Sequence, residues 1–260
     1  MLISSVHGEK DLRTLRRLVR ENPLGQFTTA ISSNEFPFIQ SSHIPFVLDV
    51  DDESSESELG RLRGHLARQN PQSKAIIENL TSKGPSSDDE KNTLDQEVLI
   101  IFNSPVHHYV PPKFYTETKP TTAKVVPTWN YAAVQIYGKA TFYFEKNDET
   151  SDFLQTQIHD ISQHGEVAIM GYDGKGDNPG PWKVTHAPER YIDIMKKSII
   201  GVEIDITRME GKFKMSQEMR EGDVEGVIKG FRGLDSETAR NMADLVEQRK
   251  ELKAQKKLSQ

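Results

Sequence analysis

The sequence predicts a mainly β protein of the α+β class, built on an antiparallel barrel with flanking helices and a helical C-terminal extension. Six segments are rich in the β-branched and aromatic side chains that are typical of strands. Few βαβ units are visible and the turns are short, which favours an antiparallel barrel over a parallel sheet. The predicted strands span residues 25–31, 37–48, 61–67, 98–103, 131–145 and 199–207.

The first predicted element is a short amphipathic helix over residues 9–22. Its apolar residues recur at helical spacing and define one face that a core can cover. Pro23 ends this helix, because proline lacks the N–H group that a helix interior requires. The apolar face consists of Leu12, Leu15, Leu18 and Val19.

Two acidic insertions interrupt the strand pattern. Residues 51–58 read DDESSESE and carry five acids in eight positions, and residues 81–97 have a similar character. Such segments bury little apolar surface. We therefore predict that both are solvated or disordered loops between strands.

The strand over residues 131–145 has the clearest alternation in the chain. Every second residue from Val134 to Phe142 is apolar or small, which predicts a face buried in the core. The opposite face carries groups that suit an anionic, aromatic ligand: Gln135, Tyr137, Lys139 and Thr141. The preceding Trp129 and Tyr131 either fill the core or contact that ligand.

Helical patterns dominate the rest of the chain. Residues 150–165 are predicted as a helix and residues 171–182 as a Gly/Pro-rich loop. Asp223 is predicted to cap one C-terminal helix, and Ser236 to cap another that runs to about Lys257. We therefore predict a barrel domain over residues 1–210 and a helical extension over residues 211–260.

Composition excludes several kinds of site. The chain has 260 residues and no cysteine, so disulfides, cysteine-ligated zinc, iron–sulfur clusters and thiol catalysis are excluded. A net charge of -6 lowers the expectation of nucleic-acid binding. We see no secretory signal and no apolar run of membrane-spanning length. The expected location is intracellular: the cytoplasm, with the nucleus left open.

Polar side chains converge at the end of the predicted strand 61–67. Arg68 offers a rigid fork for a phosphate, and Asn70 before a proline marks an exposed turn. An ordinary surface ion pair is the alternative for Arg68. His43 and His65 project from predicted strands, and each is either a structural hydrogen-bonding residue or a ligand contact.

Neighbouring histidines and aromatic residues follow at 104–115. His107 and His108 point to opposite faces if they lie on a strand, so we predict no metal site. A stacking surface for a flat ring is more plausible, and it would also suit haem.

The strand that starts at residue 199 is expected to end in Gly211-Lys212. The basic and hydroxyl groups of Lys214 and Ser216 then either reach a phosphate or form a solvated turn. The sequence shows no P-loop, no nucleophile elbow and no Rossmann fingerprint in the required context.

These segments occur in a recognisable order: SSHIPF, GHLARQNP, SPVHHYV, KVVPTWNY, VQIYGKA and GVEIDITRMEGKFKMSQ. That order resembles the PaiB-type family of FMN-binding transcriptional regulators, over residues 1 to about 245. The resemblance implies a six-stranded Greek-key split barrel like that of pyridoxine-phosphate oxidases, with flavin at the interface of a homodimer. The acidic insertions depart from bacterial members and predict a fungal one.

The resemblance also implies the residues of a flavin site. Arg68 and Asn70 match a phosphate-binding turn, and further contacts follow by motif position: Ser42, His43, His65, Thr128, Trp129 and Lys139. Ser73 and Glu218 depart from the family, which usually has Trp and Asn there.

Three functions follow as hypotheses: a flavin-dependent oxidoreductase, a regulatory protein without turnover, and a haem-binding or haem-degrading protein. In the third, His43, His65, His107 or His108 would be the axial ligand.

Overall fold

A computed structural model describes residues 3–82 and 92–258, with side chains to residue 255. The described strands form a mainly antiparallel sheet of eight strands with flanking helices. The six predicted strands are all present, and two short strands add to them. The strands are β1 Gly8–Glu9, β2 Leu24–Ala30, β3 Ile39–Asp49, β4 Arg61–Ala67, β5 Val98–Asn103, β6 His108–Val110, β7 Thr128–Tyr143 and β8 Ile199–Lys214.

Seven α-helices lie among the described residues: α1 Leu12–Glu21, α2 Pro71–Ser82, α3 Thr118–Thr122, α4 Asp148–Gln163, α5 Glu189–Lys197, α6 Glu221–Arg232 and α7 Glu237–Leu258. A π-helical turn, His164–Ile169, follows α4 directly. No helix in the described part of the chain is long and apolar enough to cross a membrane.

The described contacts divide the chain into two compact units, each discontinuous in sequence. The barrel unit comprises Asp11–Phe102 and Gln135–Met209, and the terminal unit comprises Met1–Lys10, Asn103–Val134 and Glu210–Gln260. The division into residues 1–210 and 211–260 stays a prediction.

The strands of the barrel unit form a ring. Their order is β8-β4-β3-β2-β5-β7, and β7 pairs with β8 to close it. Phenylalanines fill the interior, with Phe27 and Phe46 meeting edge to face at 6.3 Å between ring centroids. The predicted apolar face of β7 is buried, since Val134, Ile136 and Ala140 each have 0% exposure.

Helix α1 covers the barrel unit with its predicted apolar face. Asp11 caps it by accepting a hydrogen bond from the Thr14 amide at 3.1 Å. Arg16 is buried along with the leucines, and its guanidinium donates to the carbonyls of Glu53 and Glu58. Its Nε has no partner.

The acidic segment 51–58 is a loop, as predicted, but it is not simply solvated. The Glu58 carboxylate accepts from the backbone amides of Asp51 at 2.7 Å and Asp52 at 2.9 Å. Arg20 forms an ion pair with Glu53. The loop is therefore held against α1. Most of the second acidic segment, 83–91, lies outside the described residues.

The terminal unit contains the short strands β1 and β6 and the C-terminal helices α6 and α7. β1 pairs with the end of β8, and β6 pairs with the start of β7. Ser236 precedes α7 and accepts from the Ala239 amide, so its predicted capping role is confirmed.

Two predictions about the C-terminal region are wrong. Asp223 lies inside α6 and accepts from the amides of Glu117 and Thr118, so it caps a neighbouring segment rather than its own helix. Gly211-Lys212 does not end a strand, because both residues pair with β1 and β8 continues to Lys214. Partners distant in the sequence decide both outcomes.

Candidate functional site

The predicted phosphate turn lies in the barrel unit between β4 and α2. The Asn70 amide donates to the carbonyl of Ala67 at 3.0 Å, and α2 begins at the next residue, Pro71. The Asn70 side chain caps this helix by accepting from the Gln72 amide at 2.9 Å. Its Nδ2 donates to Ser42 Oγ, also at 2.9 Å. Ser42 and Asn70, both predicted site residues, are thus brought together.

Arg68 lies beside this turn and is partly buried. Its amide donates to the Ser198 carbonyl at 2.8 Å, which fixes the backbone. One guanidinium nitrogen donates to the Phe144 carbonyl at 2.8 Å. A guanidinium has five N–H groups, so this bond leaves other donors for an anion.

The sequence patterns did not predict that Gln72 and its buried neighbours lie at this site. Gln72 is buried, and its Nε2 donates to Thr29 Oγ1 at 3.0 Å. Three nearby buried polar atoms have no partner: Oε1 of Gln72, Oγ of Ser73 and Nε2 of Gln40. The Asn-Pro turn followed by apolar residues at helical spacing was the available signal for α2.

The donor set suits an anion such as a phosphate. The N-terminus of the twelve-residue helix α2 carries a partial positive charge. Arg68 adds a full charge, and the hydroxyls of Ser42 and Ser73 add hydrogen bonds. Buried polar atoms without a partner cost free energy, which is a further reason to expect a ligand near this turn.

The two predicted histidines of the barrel unit occupy different environments. His43 is exposed and follows Ser42 on β3, so its side chain points to the opposite face. His65 is half-buried and its Nδ1 has no partner. Burial lowers the pKa of His65, so the neutral ring is favoured.

Lys139 is exposed on the polar face of β7, as the alternation predicts. Its ammonium group donates to the backbone carbonyl of Asp95. On the same face the Arg208 guanidinium lies 3.9 Å from the Tyr137 ring centroid, and Thr141 shares a 2.8 Å hydrogen bond with Thr93. Intramolecular partners therefore occupy much of the face that was predicted to meet a ligand.

In the terminal unit, the KVVPTWNY segment lies against the EGKFKMSQ segment. The Lys214 ammonium group donates to Thr128 Oγ1 and, at 3.3 Å, to the Trp129 carbonyl. Asn130 donates to Ser216 Oγ at 3.0 Å, and both side chains have 0% exposure. Lys214 and Ser216 thus bind protein groups and hold the PTWNY segment in place.

Glu218 joins this network. It lies 3.6 Å from the Lys214 ammonium and 2.9 Å from His7 Nε2. Burial alone would raise the pKa of Glu218, but the hydrogen bond with His7 and the charge of Lys214 outweigh it and lower the pKa. Glu218 stands where the resemblance implies Asn, and it places a carboxylate between the side chains of His7 and Lys214.

The other histidines of the terminal unit contact aromatic rings. His107 accepts from the Trp129 indole N–H at 3.3 Å, and His108 packs edge to face against Phe231. Since β6 begins at His108, His107 lies outside the strand, and the prediction about two adjacent strand residues does not apply to it. Among the described residues, no group of three or more His, Cys, Asp or Glu side chains could hold a metal ion.

The family model described as "Putative FMN-binding domain" matches residues 1–208. An uncharacterized protein of Aspergillus fumigatus is 53% identical, over 98% of this chain and 100% of its own length. The Bacillus subtilis "Protease synthase and sporulation protein PAI 2" is 25% identical, over 88% of each chain.

A solved structure is more distant. The Listeria innocua "Putative Pyridoxamine 5'-phosphate oxidase" has a TM-score of 0.33 and 10% identity, covering 76% of this chain and 94% of that one. A TM-score this low supports no functional inference. The family model and these relatives give no support to haem as the ligand.

Proposed function

The chain belongs to the FMN-binding domain family, and from this premise we propose that it binds FMN, with the phosphate at the turn between β4 and α2. The observation that carries the proposal is the Ser42–Asn70 hydrogen bond beside Arg68 at the N-terminus of α2. A positive charge, a hydroxyl group and the positive end of a helix dipole support the phosphate assignment.

The finer proposal is a flavin-dependent oxidoreductase. Bound FMN would supply the electron-transfer chemistry, and the protein would hold and orient it. Arg68 would neutralise part of the phosphate charge, while Ser42 and Asn70 would fix its position. The other predicted contacts stay predictions: His43, His65, Thr128, Trp129 and Lys139.

The test compares FMN with riboflavin, which lacks the phosphate. We expect Arg68→Ala to weaken FMN binding at least tenfold, because a charge-assisted hydrogen bond contributes about 1.5–3 kcal/mol. Riboflavin affinity should stay the same in both proteins. Flavin fluorescence quenching during titration measures both affinities.

Controls separate the phosphate role from a general loss of charge. Arg17→Ala removes an exposed arginine of α1 and should leave FMN affinity unchanged. Equal FMN affinities for wild type and Arg68→Ala would contradict the proposal. So would a loss that is as large for riboflavin as for FMN.

A regulatory protein without turnover is the second candidate. The observation that favours it is the similarity to the B. subtilis sporulation protein, at 25% identity over most of both chains. Retention of DNA on filters at physiological salt would favour this candidate over the oxidoreductase. The cytoplasmic location also stays a prediction.

A further inference from the structure

An open cleft lies beside Trp129 in the terminal unit. Its volume is about 520 Å³. The side chains that decide its chemistry are Asn103, Ser104, His107, Trp129 and Tyr131. None of the residues that line it is charged, which distinguishes it from the phosphate turn in the barrel unit.

One wall of the cleft is an indole ring held in place by its neighbours. Trp129 faces Tyr109 directly across the β6–β7 pair, and the two ring centroids are 6.1 Å apart. The His107 ring packs near it at 5.9 Å, tilted by 32°. Both contacts limit the motion of the indole.

The indole is nevertheless open to solvent. Trp129 is 49% exposed and Tyr109 is 42% exposed, whereas Tyr115 and Phe231 of the same unit are buried. Exposed aromatic rings held in one orientation offer a stacking surface at a small further entropic cost.

The polar groups of the cleft favour a ligand that accepts hydrogen bonds. The Trp129 N–H donates to His107 Nδ1 at 3.3 Å, so that nitrogen carries no proton. In the neutral ring the proton then lies on Nε2, which is a donor. The Asn103 amide adds further donors at the rim. With no charged residue in the lining, an uncharged ligand fits best.

We propose that this cleft binds an uncharged, planar aromatic carbonyl compound of the quinone type. The ring stacks on the Trp129 indole, and His107 Nε2 and the Asn103 amide donate to its carbonyl oxygens. The inference does not depend on binding of FMN at the turn between β4 and α2, and it replaces the predicted flavin contact of Trp129 with a contact to a second ligand.

The probe for the test is 1,4-naphthoquinone, added to flavin-free protein while tryptophan fluorescence is recorded. The chain has two tryptophans, so Trp182→Phe leaves Trp129 as the sole reporter. Trp129→Phe is the matched control, because it retains only Trp182. With no cysteine in the sequence, the quinone cannot form thiol adducts.

We expect saturable quenching in Trp182→Phe, with an unchanged fluorescence lifetime, and only linear quenching in Trp129→Phe. His107→Ala on the Trp182→Phe background should weaken binding about tenfold through the lost donor and ring contact. His159→Ala, which changes an exposed histidine of the barrel unit, should leave the affinity unchanged.

Two results would overturn the proposal. One is linear quenching of both tryptophans, which means collision without a site. The other is competitive displacement of naphthoquinone by riboflavin, which would mean that the flavin itself binds in the cleft. If Trp129→Phe does not fold, the His107→Ala comparison carries the test. Loss of FMN binding alone would leave this result intact.

Discussion

Asp223 shows how a single carboxylate can connect distant parts of the terminal unit. It has 1% exposure and accepts hydrogen bonds from the amides of Glu117 at 2.9 Å and Thr118 at 3.0 Å. The Thr118 hydroxyl donates to it as well. One side chain of α6 thus satisfies the amides at the start of α3.

The pH dependence of stability should reflect this carboxylate. Burial alone would raise the pKa of Asp223, but the hydrogen bonds from Thr118 and Glu117 outweigh it and hold the pKa below its ordinary 3.8. Since the folded-state pKa is the lower one, the stabilisation is complete above about pH 4 and is lost as pH falls through the folded-state value.

We therefore expect Asp223→Asn to lower the free energy of unfolding at pH 7 by about 1–3 kcal/mol. The difference from wild type should shrink below pH 4. Urea unfolding between pH 2.5 and 7 measures both effects. Asp235→Asn, at an exposed position, is the control that should change neither. A difference from wild type that is constant over this pH range would contradict the role of the charge.

At the scale of elements, the closing pair of the barrel ring depends on a close approach of two backbones. A Cβ atom at Gly138 of β7 would lie 2.4 Å from the Asp205 carbonyl oxygen of β8 and 2.6 Å from Ile204. Only glycine fits this contact without a shift of one strand.

Gly138→Ala should therefore destabilise the protein by about 1–3 kcal/mol, the usual range for overpacking. Gly165→Ala is a matched control, because a Cβ there meets nothing within 4 Å. Thermal unfolding followed by circular dichroism compares the two variants. Equal thermal unfolding midpoints for the two variants would contradict this prediction, because β7 and β8 would then move apart at little cost in stability.

The long strands could be predicted because their pattern is local. The alternation of β7 and the cap at Ser236 need only neighbouring residues. β1 and β6 are too short to show a period, and the extension of β8 depends on β1 from the other end of the chain. Helix α5 has no buried residue. Its amphipathic pattern therefore does not indicate which element it packs against.

The residues of the candidate site likewise divide into those with a local sequence signal and those whose partners are distant in the sequence. The turn at Asn70-Pro71 could be predicted because its signal is local, and the phosphate role of Arg68 stays a prediction. The Ser42–Asn70 bond spans 28 positions and the Asn130–Ser216 bond spans 86, so alternation and propensity carry no information about them. Lys139 and Lys214 were predicted as basic groups near a ligand, but their protein partners could be seen only in three dimensions.

For the whole molecule, we propose that the chain forms a homodimer. Ile39 at the start of β3 is 66% exposed, and the adjacent Phe38 is 57% exposed. Large apolar side chains grouped in this way favour contact with a second protein surface.

Sedimentation equilibrium should accordingly give twice the 29.5 kDa of the chain. Ile39→Glu should shift the protein to monomer, because it would place a charge in the apolar contact. Val126→Glu, at an exposed position of the terminal unit, should leave the mass unchanged. A wild-type monomer at all concentrations, or a dimer of Ile39→Glu, would refute this interface.

The burial of Arg16 beneath the acidic loop has a consequence for changes in chain length. A deletion that removed residues 51–58 would take away the Glu53 and Glu58 carbonyls that this guanidinium now contacts. Shortening of this loop should therefore leave a buried charge without its acceptors, and a change of Arg16 to an apolar residue should relieve that cost.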